Sequence, residues 1–366
     1  MQPLPPGSTI GILGAGQLGR MLAVAASRLG LKAHIYSDVP GPASDVAAST
    51  TIGAYDDLAK ITAFAAETDV VTYEFENVPV SAAAAVEKVR PVRPGLKPLE
   101  VAQDRFKEKS FIASLGLPLP RFALVEGPGD FAAALETVGA PSILKSRRLG
   151  YDGKGQARLA SPDQIGEAFE AIGRAPATLE AMVNFQFEVS VLLVRGINGE
   201  TLVYDIPQNH HEGGILRTST VPSRLPAAHR ERAIEIASTL AEALGYVGLI
   251  GVEMFYVGDA LEPLLLNEFA PRVHNSGHWT MDACAVGQFE NHIRAVAGWP
   301  LGATERHSDC QMTNLIGDDV AAWPQLAGEA NACLHLYGKN KALPGRKMGH
   351  VNRLFPRSVD VETRSL

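Results

Sequence analysis

The sequence predicts an α/β protein that opens with a doubly wound parallel sheet. An apolar run at Thr9–Leu13 has the composition of a buried strand, and a glycine-rich turn follows it at residues 14–19. The next residues place apolar side chains on one helical stripe, and a glycine at position 30 is suited to end that helix. Two more apolar runs, at residues 32–36 and 70–75, continue the alternation of strand and helix that is typical of such sheets.

Proline and glycine divide the rest of the chain. A proline-spaced stretch at residues 90–98 predicts the end of the first domain, and the tail after Trp299 predicts a small β-rich domain. We therefore expect domains at residues 1–100, 101–298 and 299–366. The length of 366 residues agrees with this division, because it exceeds what one compact core usually holds.

The central part of the chain predicts helices that alternate with short strands. One helix begins near residue 106 and is ended by Gly116, and a second spans residues 233–244. The expected strands lie at residues 122–125, 142–145, 177–180 and 187–194. Two further apolar runs, at residues 249–256 and 264–269, predict a β-hairpin.

Composition excludes several classes of protein. The chain contains 46% hydrophobic residues but no run of about 18 apolar residues, so we expect a globular protein without a membrane-spanning helix. The net charge of −7 and the absence of a Lys/Arg cluster argue against nucleic acid as a partner. The three cysteines lack CxxC spacing and the N-terminus lacks a secretory pattern, so a cytoplasmic location is expected.

The first glycine-rich turn is a candidate phosphate site. It has the pattern Gly14-x-Gly16-x-x-Gly19 and opens a helix, where backbone N–H groups and the helix dipole favour an anion. Asp38 lies where an acid would hold the ribose of a nicotinamide dinucleotide. An NAD-dependent oxidoreductase is therefore one hypothesis, and a site for another phosphate or a purely structural turn is the alternative.

Two acidic residues interrupt the apolar strands of the expected hairpin. Glu253 and Glu268 would lie roughly opposite each other on one face when the strands pair. Adjacent carboxylates repel unless a cation lies between them, and Mg²⁺ with phosphate oxygens is a suitable occupant. The alternative is a solvated sheet face, which the apolar neighbours Met254 and Leu266 disfavour.

A lysine ends one central strand just before a second glycine-rich segment. Lys145 can reach nucleotide phosphates while the segment at residues 150–155 folds over them, with Lys154 adding charge. The segment lacks the GxxxxGK[ST] pattern of a P-loop, so a different nucleotide-binding fold is required. Taken alone, such a segment is more often a hairpin connection than a mobile flap.

A dense polar segment follows Glu268. Residues 271–279 have the sequence PRVHNSGHW, which suits an anion pocket beside the expected metal. His274 and His278 have the i, i+4 spacing of a zinc pair, but the Asn-Ser-Gly between them disfavours the helix that such a pair needs. The pair His210-His211 is likewise expected to make hydrogen bonds rather than to bind zinc.

Several segments together resemble one enzyme family. They are, in chain order, GAGQLGRM, YEFENV, GYDGKGQ, NEFAPRVHNSGHW and PGRKMGH, and they extend from Gly11 to about His350. This set resembles the N5-carboxyaminoimidazole ribonucleotide synthetases, which are ATP-grasp enzymes of purine biosynthesis. The resemblance implies an ATP-grasp fold with an N-terminal doubly wound (Rossmann-like) domain. A central ATP-grasp domain with a mobile lid at about 118–185 and a small β-rich C-terminal domain would follow.

The resemblance also implies a reaction and its partners. ATP and bicarbonate would carboxylate the exocyclic amine of 5-aminoimidazole ribonucleotide through carboxyphosphate, giving ADP and phosphate. Mg²⁺ would act with ATP, as two ions, and the protein would be a cytoplasmic homodimer without a nucleic-acid or membrane partner.

The same resemblance assigns the nucleotide and metal site. Glu253 and Glu268 would hold Mg²⁺, while Arg105 and Lys145 would contact phosphates. The flap would comprise Gly150, Tyr151, Asp152, Gly153, Lys154, Gly155 and Gln156. The other nucleotide contacts would be the adenine hinge Glu180, Ala181, Met182 and Val183, the ribose ligand Glu188, and His211 and Asn267 at the edge of the site.

The remaining implied residues serve the ribonucleotide and bicarbonate. The substrate phosphate would be bound by Gly16, Gln17 and Leu18, assisted by Lys339 and Arg346. Its imidazole and ribose would meet Glu74, Tyr151 and Asp152. The carboxyphosphate pocket would be lined by Arg272, His274, Asn275 and Ser276, which form the catalytic group together with Lys339. Asp38 would then be a turn residue at the end of a strand.

Two departures from the wider ATP-grasp pattern and two rival functions accompany this assignment. Ala270 stands where a third metal-binding residue, often Asn, is expected, and Lys154 replaces an arginine of some relatives. A formate-dependent phosphoribosylglycinamide formyltransferase shares the glycine turn and the paired acids. The NAD-dependent oxidoreductase leaves Glu253 and Glu268 unexplained.

Overall fold

The computed structural model describes residues 2–148, 150, 155–258 and 260–358, and it begins with a parallel sheet. Its strands are β1 (Thr9–Leu13), β2 (Lys32–Ser37), β3 (Ser49–Ile52) and β4 (Val70–Tyr73), in the spatial order β3-β2-β1-β4. Its helices are α1 (Gln17–Arg28), α2 (Leu58–Ala66) and α3 (Val80–Glu87). Because the pairings are parallel, the carboxyl ends of β1 and β4 meet at one edge, which carries the glycine turn and Glu74.

A smaller antiparallel sheet forms the region that the resemblance identifies as the lid. Helices α4 (Leu96–Ala102) and α5 (Arg105–Ser114) lead into it. Its elements are β5 (Phe122–Val125), α6 (Phe131–Val138), β6 (Ser142–Ser146), β7 (Gln156–Leu159), α7 (Ile165–Ala171) and β8 (Ala177–Ala181). The strand order is β5-β8-β6-β7, and Leu144 and Leu179 of the two inner strands pack in a core of their own under both helices.

A large antiparallel sheet forms the centre of the molecule. Its strands are β9 (Phe187–Arg195), β10 (Thr201–Val203), β11 (Gln208–Glu212), β12 (Ile215–Val221), β13 (Gly248–Tyr256), β14 (Leu264–Ala270), β15 (Ser308–Ile316), β16 (Ala332–Leu336) and β17 (Lys347–Pro356). They follow the order β14-β13-β9-β11-β12-β15-β17-β16, with β10 also paired to β9. The helices are α8 (Ala227–Ala243), α9 (Thr280–Ala283), α10 (Gln288–Ala297) and α11 (Trp323–Leu326). Within the described ranges, none of the helices has the length and apolar character needed to cross a membrane.

The two faces of the central sheet have different neighbours. On β9, Val189, Val191 and Leu193 pack against α8 in one hydrophobic core. Because side chains alternate along a strand, Glu188 and Ser190 lie on the opposite face. Farther along the same face, Leu192 and Val194 are buried in the core that is shared with the N-terminal domain. The polar site residues Glu188 and Ser190 therefore lie at the other end of β9.

The tail after Trp299 is rich in β-strands, as the sequence predicts. β15 pairs with β12, and β17 and β16 follow it, so the tail continues the central sheet. The N-terminal domain is also joined to this sheet by packing. Ile10 and Leu22 share one hydrophobic core with Trp279 and Ile293.

Two element boundaries were predicted wrongly. The helix expected at residues 233–244 begins at Ala227, six residues earlier, directly after Pro226. Its first turns contain His229 and Arg230, so the apolar stripe that carried the prediction starts only at Ala233. The strand expected at residues 70–75 ends at Tyr73.

Candidate active site

The hairpin formed by β13 and β14 brings the two predicted acids together. Glu253 pairs with Glu268, as the sequence predicts. The register then shifts, so that Met254 pairs with Leu266 and Asn267 forms a bulge. The Oδ1 atom of Asn267 is buried and has no hydrogen-bond partner among the described residues. The hairpin therefore supplies two carboxylates and an unpaired amide oxygen in close succession.

A group of cations lies between this hairpin and the lid sheet. Glu180 at the end of β8 has Lys145 Nζ at 2.9 Å and Lys109 Nζ at 3.3 Å from its Oε2 atom. Arg105 Nη1 lies 3.2 Å from Glu268 Oε2 and 3.9 Å from Glu180 Oε1. Burial would raise the pKa of Glu180, but the charges of Lys109, Lys145 and Arg105 hold it at about 2. Three cations facing two carboxylates leave a net positive cleft, which suits a polyphosphate.

Two atoms in this cleft lack partners. Arg105 Nε and Glu180 Oε1 are both buried and make no hydrogen bond within the part of the chain that the structure describes. Buried polar atoms of this kind are normally paired. Their position beside Lys145 is therefore consistent with a bound ligand that completes the network.

His274 connects Glu253 to the polar segment after β14. Its Nε2 atom lies 3.2 Å from Glu253 Oε1, and its Nδ1 atom lies 2.8 Å from Ser276 Oγ. Burial would raise the pKa of Glu253. The hydrogen bond and charge of His274, with the charges of His211 and Lys347, lower it to about 2. Glu253 is therefore held as a carboxylate, the form that binds a divalent cation.

Arg272 links this segment to the N-terminal domain. Its Nε atom donates a hydrogen bond to Glu76, and its Nη1 atom donates to the Val273 carbonyl at 3.1 Å. Burial would raise the pKa of Glu76, but the charge and hydrogen bond of Arg272 lower it to about 2. The Glu76 backbone carbonyl in turn accepts from Gln103 Nε2 at 2.9 Å. Arg272 is thus fixed across the junction of two domains.

Glu74 occupies the glycine turn at the other end of the site. Its carboxylate accepts hydrogen bonds from the N–H groups of Gly16 and Gly19. A Cβ atom at Gly14 would lie 2.4 Å from Glu74 Cγ, and the φ of Gly14 is +114°. The glycines are therefore required for the approach of Glu74. The Gly16 N–H group is taken by this carboxylate, while Gln17 and Leu18 stand half-buried at the start of α1.

The same arrangement bears on the dinucleotide hypothesis. A pyrophosphate at this turn would meet the Glu74 carboxylate, which already accepts from the turn's N–H groups. Burial raises the pKa of Glu74, against the effect of those N–H groups and of the Arg272 and Lys339 charges. Asp38 is exposed directly after β2. The turn therefore does not present the open pyrophosphate cradle that the NAD interpretation requires.

The nucleotide edge of the site is formed by β9 and β11. Glu188 Oε2 is hydrogen-bonded to His211 Nδ1, so the two predicted residues lie together. Burial would lower the pKa of His211, but the hydrogen bond with Glu188 and the Glu253 charge give a net increase. The hinge that follows Glu180 continues through Ala181 and Val183, which are half-buried, and Met182, which is exposed.

The remaining predicted residues are placed less directly. The Asn275 amide exchanges two hydrogen bonds with Asn314 of β15, at 3.0 and 2.7 Å. Lys339 Nζ donates to the Lys347 carbonyl at 2.7 Å. Arg346 donates to the Lys341 carbonyl at 3.1 Å. Gly155 and Gln156 precede and begin β7 at the end of the flap segment, where Gln156 pairs with Lys145.

Part of the expected flap cannot be placed. Tyr151, Asp152, Gly153 and Lys154 lie outside the described residues. Gly150 is described but belongs to no regular element. The roles of these residues therefore stay predictions.

The donor set of the hairpin fits a magnesium ion. Glu253 is ionised, Glu268 faces it across the strand pair, and the Asn267 amide oxygen has no partner in the described part of the chain. Mg²⁺ usually takes one or two carboxylates and completes its shell with water and phosphate oxygens, so a larger protein cage is not required. No group of three or more His, Cys, Asp or Glu side chains suited to a metal occurs among the described residues.

The whole chain matches a known set of family models. Residues 8–103 match the ribonucleotide synthetase preATP-grasp domain, and residues 110–289 match the ATP-grasp domain. Residues 310–364 match the phosphoribosylaminoimidazole carboxylase C-terminal domain. A relative from Brucella melitensis, named N5-carboxyaminoimidazole ribonucleotide synthase, is 53% identical over 97% of this chain and 99% of its own. The chain belongs to the N5-carboxyaminoimidazole ribonucleotide synthase family.

Solved structures of N5-carboxyaminoimidazole ribonucleotide synthases agree with this fold. The enzyme from Thermus thermophilus is 45% identical with a TM-score of 0.88, over 94% of this chain and 93% of its own. The Aspergillus clavatus enzyme, in complex with ADP and 5-aminoimidazole ribonucleotide, is 32% identical with a TM-score of 0.89. That match covers 96% of this chain and 94% of the other. The ATP-grasp fold and its two flanking domains, expected from the resemblance, are confirmed.

Sequence reasoning missed several residues that contact the candidate site. Glu76 was not assigned, although it belongs to the quoted YEFENV segment. Lys109 was not assigned, although a lysine in the otherwise buried stripe of α5 is a detectable signal. Asn314 and Lys347 lie in C-terminal strands whose contact with the site depends on the sheet order.

Proposed function

We propose that this protein carboxylates the exocyclic amine of 5-aminoimidazole ribonucleotide, using ATP and bicarbonate. The observation that carries the proposal is the course of residues 267–276. This segment begins at the acids of the nucleotide cleft, passes Arg272 and reaches His274 and Ser276. The segment therefore links the proposed nucleotide end of the site to a pocket for a small anion. The hydrogen bond between Arg272 and Glu76 links the same segment to the N-terminal domain.

The nucleotide end would bind ATP. Lys145 and Arg105 would stabilise the phosphates by charge, and the linker after Glu180 would meet adenine through its backbone. The Mg²⁺ ions would be held by Glu253 and Glu268 and would neutralise phosphate charge as the terminal phosphoryl group leaves ADP. This arrangement favours in-line transfer, because catalysis of phosphoryl transfer depends mainly on positioning and electrostatics.

The central pocket would bind bicarbonate. Arg272 offers a guanidinium already oriented by Glu76, and His274 offers a ring nitrogen beside Ser276. A bicarbonate oxygen would attack the terminal phosphorus of ATP, giving ADP and carboxyphosphate. The substrate amine would then attack the carboxyl carbon of carboxyphosphate. Phosphate would leave, and the nitrogen would lose a proton.

The ribonucleotide would lie at the N-terminal end. Glu74 would meet the imidazole and ribose, and Lys339 would assist with the phosphate. The N–H groups of Gln17 and Leu18 open α1 and would bind the substrate phosphate with Arg346. Family resemblance also supports a cytoplasmic homodimer, which a mass measurement in solution tests.

Phosphate release distinguishes this function from its rivals. We expect ATP hydrolysis in bicarbonate buffer to be strongly stimulated by 5-aminoimidazole ribonucleotide and to lose that stimulation when bicarbonate is removed. Turnover only with glycinamide ribonucleotide and formate would instead indicate the formyltransferase. Binding of NADH in a fluorescence titration would support the oxidoreductase.

Replacing Lys145 with Ala is expected to weaken ADP binding by about 10- to 100-fold, because a buried charge-assisted contact is lost. Binding of 5-aminoimidazole ribonucleotide should change little, because Lys145 lies on the lid sheet, away from Glu74. Calorimetric titration of both ligands measures this difference.

Arg158→Ala is a matched control, because Arg158 is exposed on the neighbouring strand β7. Equal losses for both ligands in Lys145→Ala would contradict a role in nucleotide binding and would indicate a structural lysine.

A further inference from the structure

Strand β14 carries Glu268 at the edge of the central sheet. Of the described strands only β13 pairs with it, so the outer side of its backbone lacks a strand partner within that part of the chain. The bulge at Asn267 removes one more contact with β13. The sheet alone therefore fixes this part of β14 weakly.

Helix α5 contacts β14 on both sides of Glu268, while the Leu266 N–H group farther along the strand donates to the Pro118 carbonyl at 2.8 Å. The Glu108 carboxylate accepts a hydrogen bond from the Phe269 N–H group at 2.8 Å, and Lys109 Nζ donates to the Asn267 carbonyl at 2.5 Å. These two partners are the residues immediately before and after Glu268. Two neighbouring side chains of one helix thus hold the backbone on both sides of the acid.

Both side chains are buried, and burial together with the Glu268 charge raises the pKa of Glu108 to about 8. Glu108 is 4% exposed and Lys109 is not exposed. Burial of such groups is stabilising only when the pairing is good. Lys109 Nζ also lies 3.3 Å from Glu180 Oε2, and Glu180 belongs to the lid sheet. One ammonium group therefore connects the lid sheet to the strand of Glu268.

We propose that Glu108 and Lys109 are positioning residues that set Glu268 for the divalent cation. The inference rests on the proposed metal role of Glu268. Groups that orient metal ligands typically change metal affinity when they are removed, even though they do not touch the ion. The other buried contacts of α5 explain why the helix packs against its neighbours. They do not explain why Glu108 and Lys109 are hydrogen-bonded to the backbone of the two residues that flank Glu268.

Metal binding can be measured directly with Mn²⁺ as the probe. Free Mn²⁺ is followed by electron paramagnetic resonance during titration of the full chain with saturating ADP. We expect Lys109→Met and Glu108→Leu each to weaken Mn²⁺ binding by about 10- to 100-fold. Glu108→Gln keeps the acceptor for Phe269 and should restore affinity to within about twofold of the unchanged protein.

Lys107→Met is the matched control on the same helix. Lys107 is 48% exposed and pairs with Glu100, so its loss should leave Mn²⁺ binding within about twofold. Binding of ADP without metal separates positioning from general damage. Glu108→Leu should leave ADP binding without metal unchanged, because Glu108 is hydrogen-bonded to the Phe269 N–H group and not to a residue assigned to the nucleotide.

The outcomes are distinguishable. Lys109→Met and Glu108→Leu proteins that melt cooperatively but bind Mn²⁺ as tightly as the unchanged chain would overturn the inference. If Glu108→Leu does not fold, Lys109→Met decides, since Met keeps the length of the apolar stem. Because Lys109 also faces the nucleotide cleft, its Mn²⁺ titration is carried out at an ADP concentration that is shown to saturate this variant. An unchanged chain that does not bind Mn²⁺ with ADP would overturn the metal role of Glu268 itself.

Discussion

Replacing Glu268 with Gln is expected to abolish ATP-dependent carboxylation while leaving the fold intact. Gln keeps the shape of the side chain but removes the charge that faces Glu253 across the hairpin. Loss of a metal ligand in phosphoryl transfer removes several kcal/mol of stabilisation, so we expect turnover to fall by about a thousandfold or more. Initial rates of phosphate release over a range of Mg²⁺ concentrations measure the effect.

The fold should tolerate this change because the Glu268 side chain is 44% exposed. Glu262→Gln, at the same hairpin, is the matched control, since Glu262 pairs with Arg232 away from the cleft. It should keep full activity. A Glu268→Gln enzyme with Mg²⁺-dependent turnover near that of the control would contradict the assigned role.

Replacing Arg272 with Lys is expected to lower carboxylation by about 100-fold, similar to the loss of one donor in an anion-stabilising pocket. Lys keeps the charge, but it loses the planar group that donates to Glu76 and to the Val273 carbonyl at once. The bicarbonate ion would then face an ammonium group that is no longer held in place by Glu76. Steady-state kinetics with bicarbonate as the varied substrate measure this change.

Nucleotide binding should survive in Arg272→Lys, because the proposal assigns the phosphates of ATP to Arg105 and Lys145. Arg174→Lys is the control, since Arg174 is exposed and pairs with Glu170 on the lid. If Arg272→Lys kept the bicarbonate dependence of the control, Arg272 would serve only to join the domains through Glu76.

Local patterns were sufficient to predict the elements of the site. Alternation of apolar and acidic residues in β13 and β14 placed Glu253 opposite Glu268, and the structure has that pairing. The strand, turn and helix at the N-terminus follow from the same kind of periodicity. In contrast, the start of α8 was missed because its first turns are polar.

Contacts between distant segments could not be predicted in this way. Glu76 and Arg272 are 196 positions apart, and Lys109 and Asn267 are 158 positions apart. Their pairing depends on how three domains pack around one cleft. The same packing brings Glu74 to the glycine turn, where its carboxylate rather than a ligand accepts from the Gly16 N–H group.

The C-terminal strands illustrate the same limit at the level of the fold. Their composition predicted β structure, and β15, β16 and β17 are strands. Composition does not specify which edge they join, because backbone hydrogen bonding is the same for every edge strand. Their attachment to β12 brings Asn314 within hydrogen-bond distance of Asn275 in the candidate site.

Transfer of an oxygen atom from bicarbonate to phosphate would show directly whether bicarbonate receives the phosphoryl group of ATP. The chain would be incubated with ATP, 5-aminoimidazole ribonucleotide and ¹⁸O-labelled bicarbonate, and the released phosphate would be analysed by mass spectrometry. If a bicarbonate oxygen attacks the terminal phosphorus of ATP, as proposed, the released phosphate will carry the label. Phosphate without label, released at the same rate, would contradict the proposal, because another nucleophile would then have received the phosphoryl group.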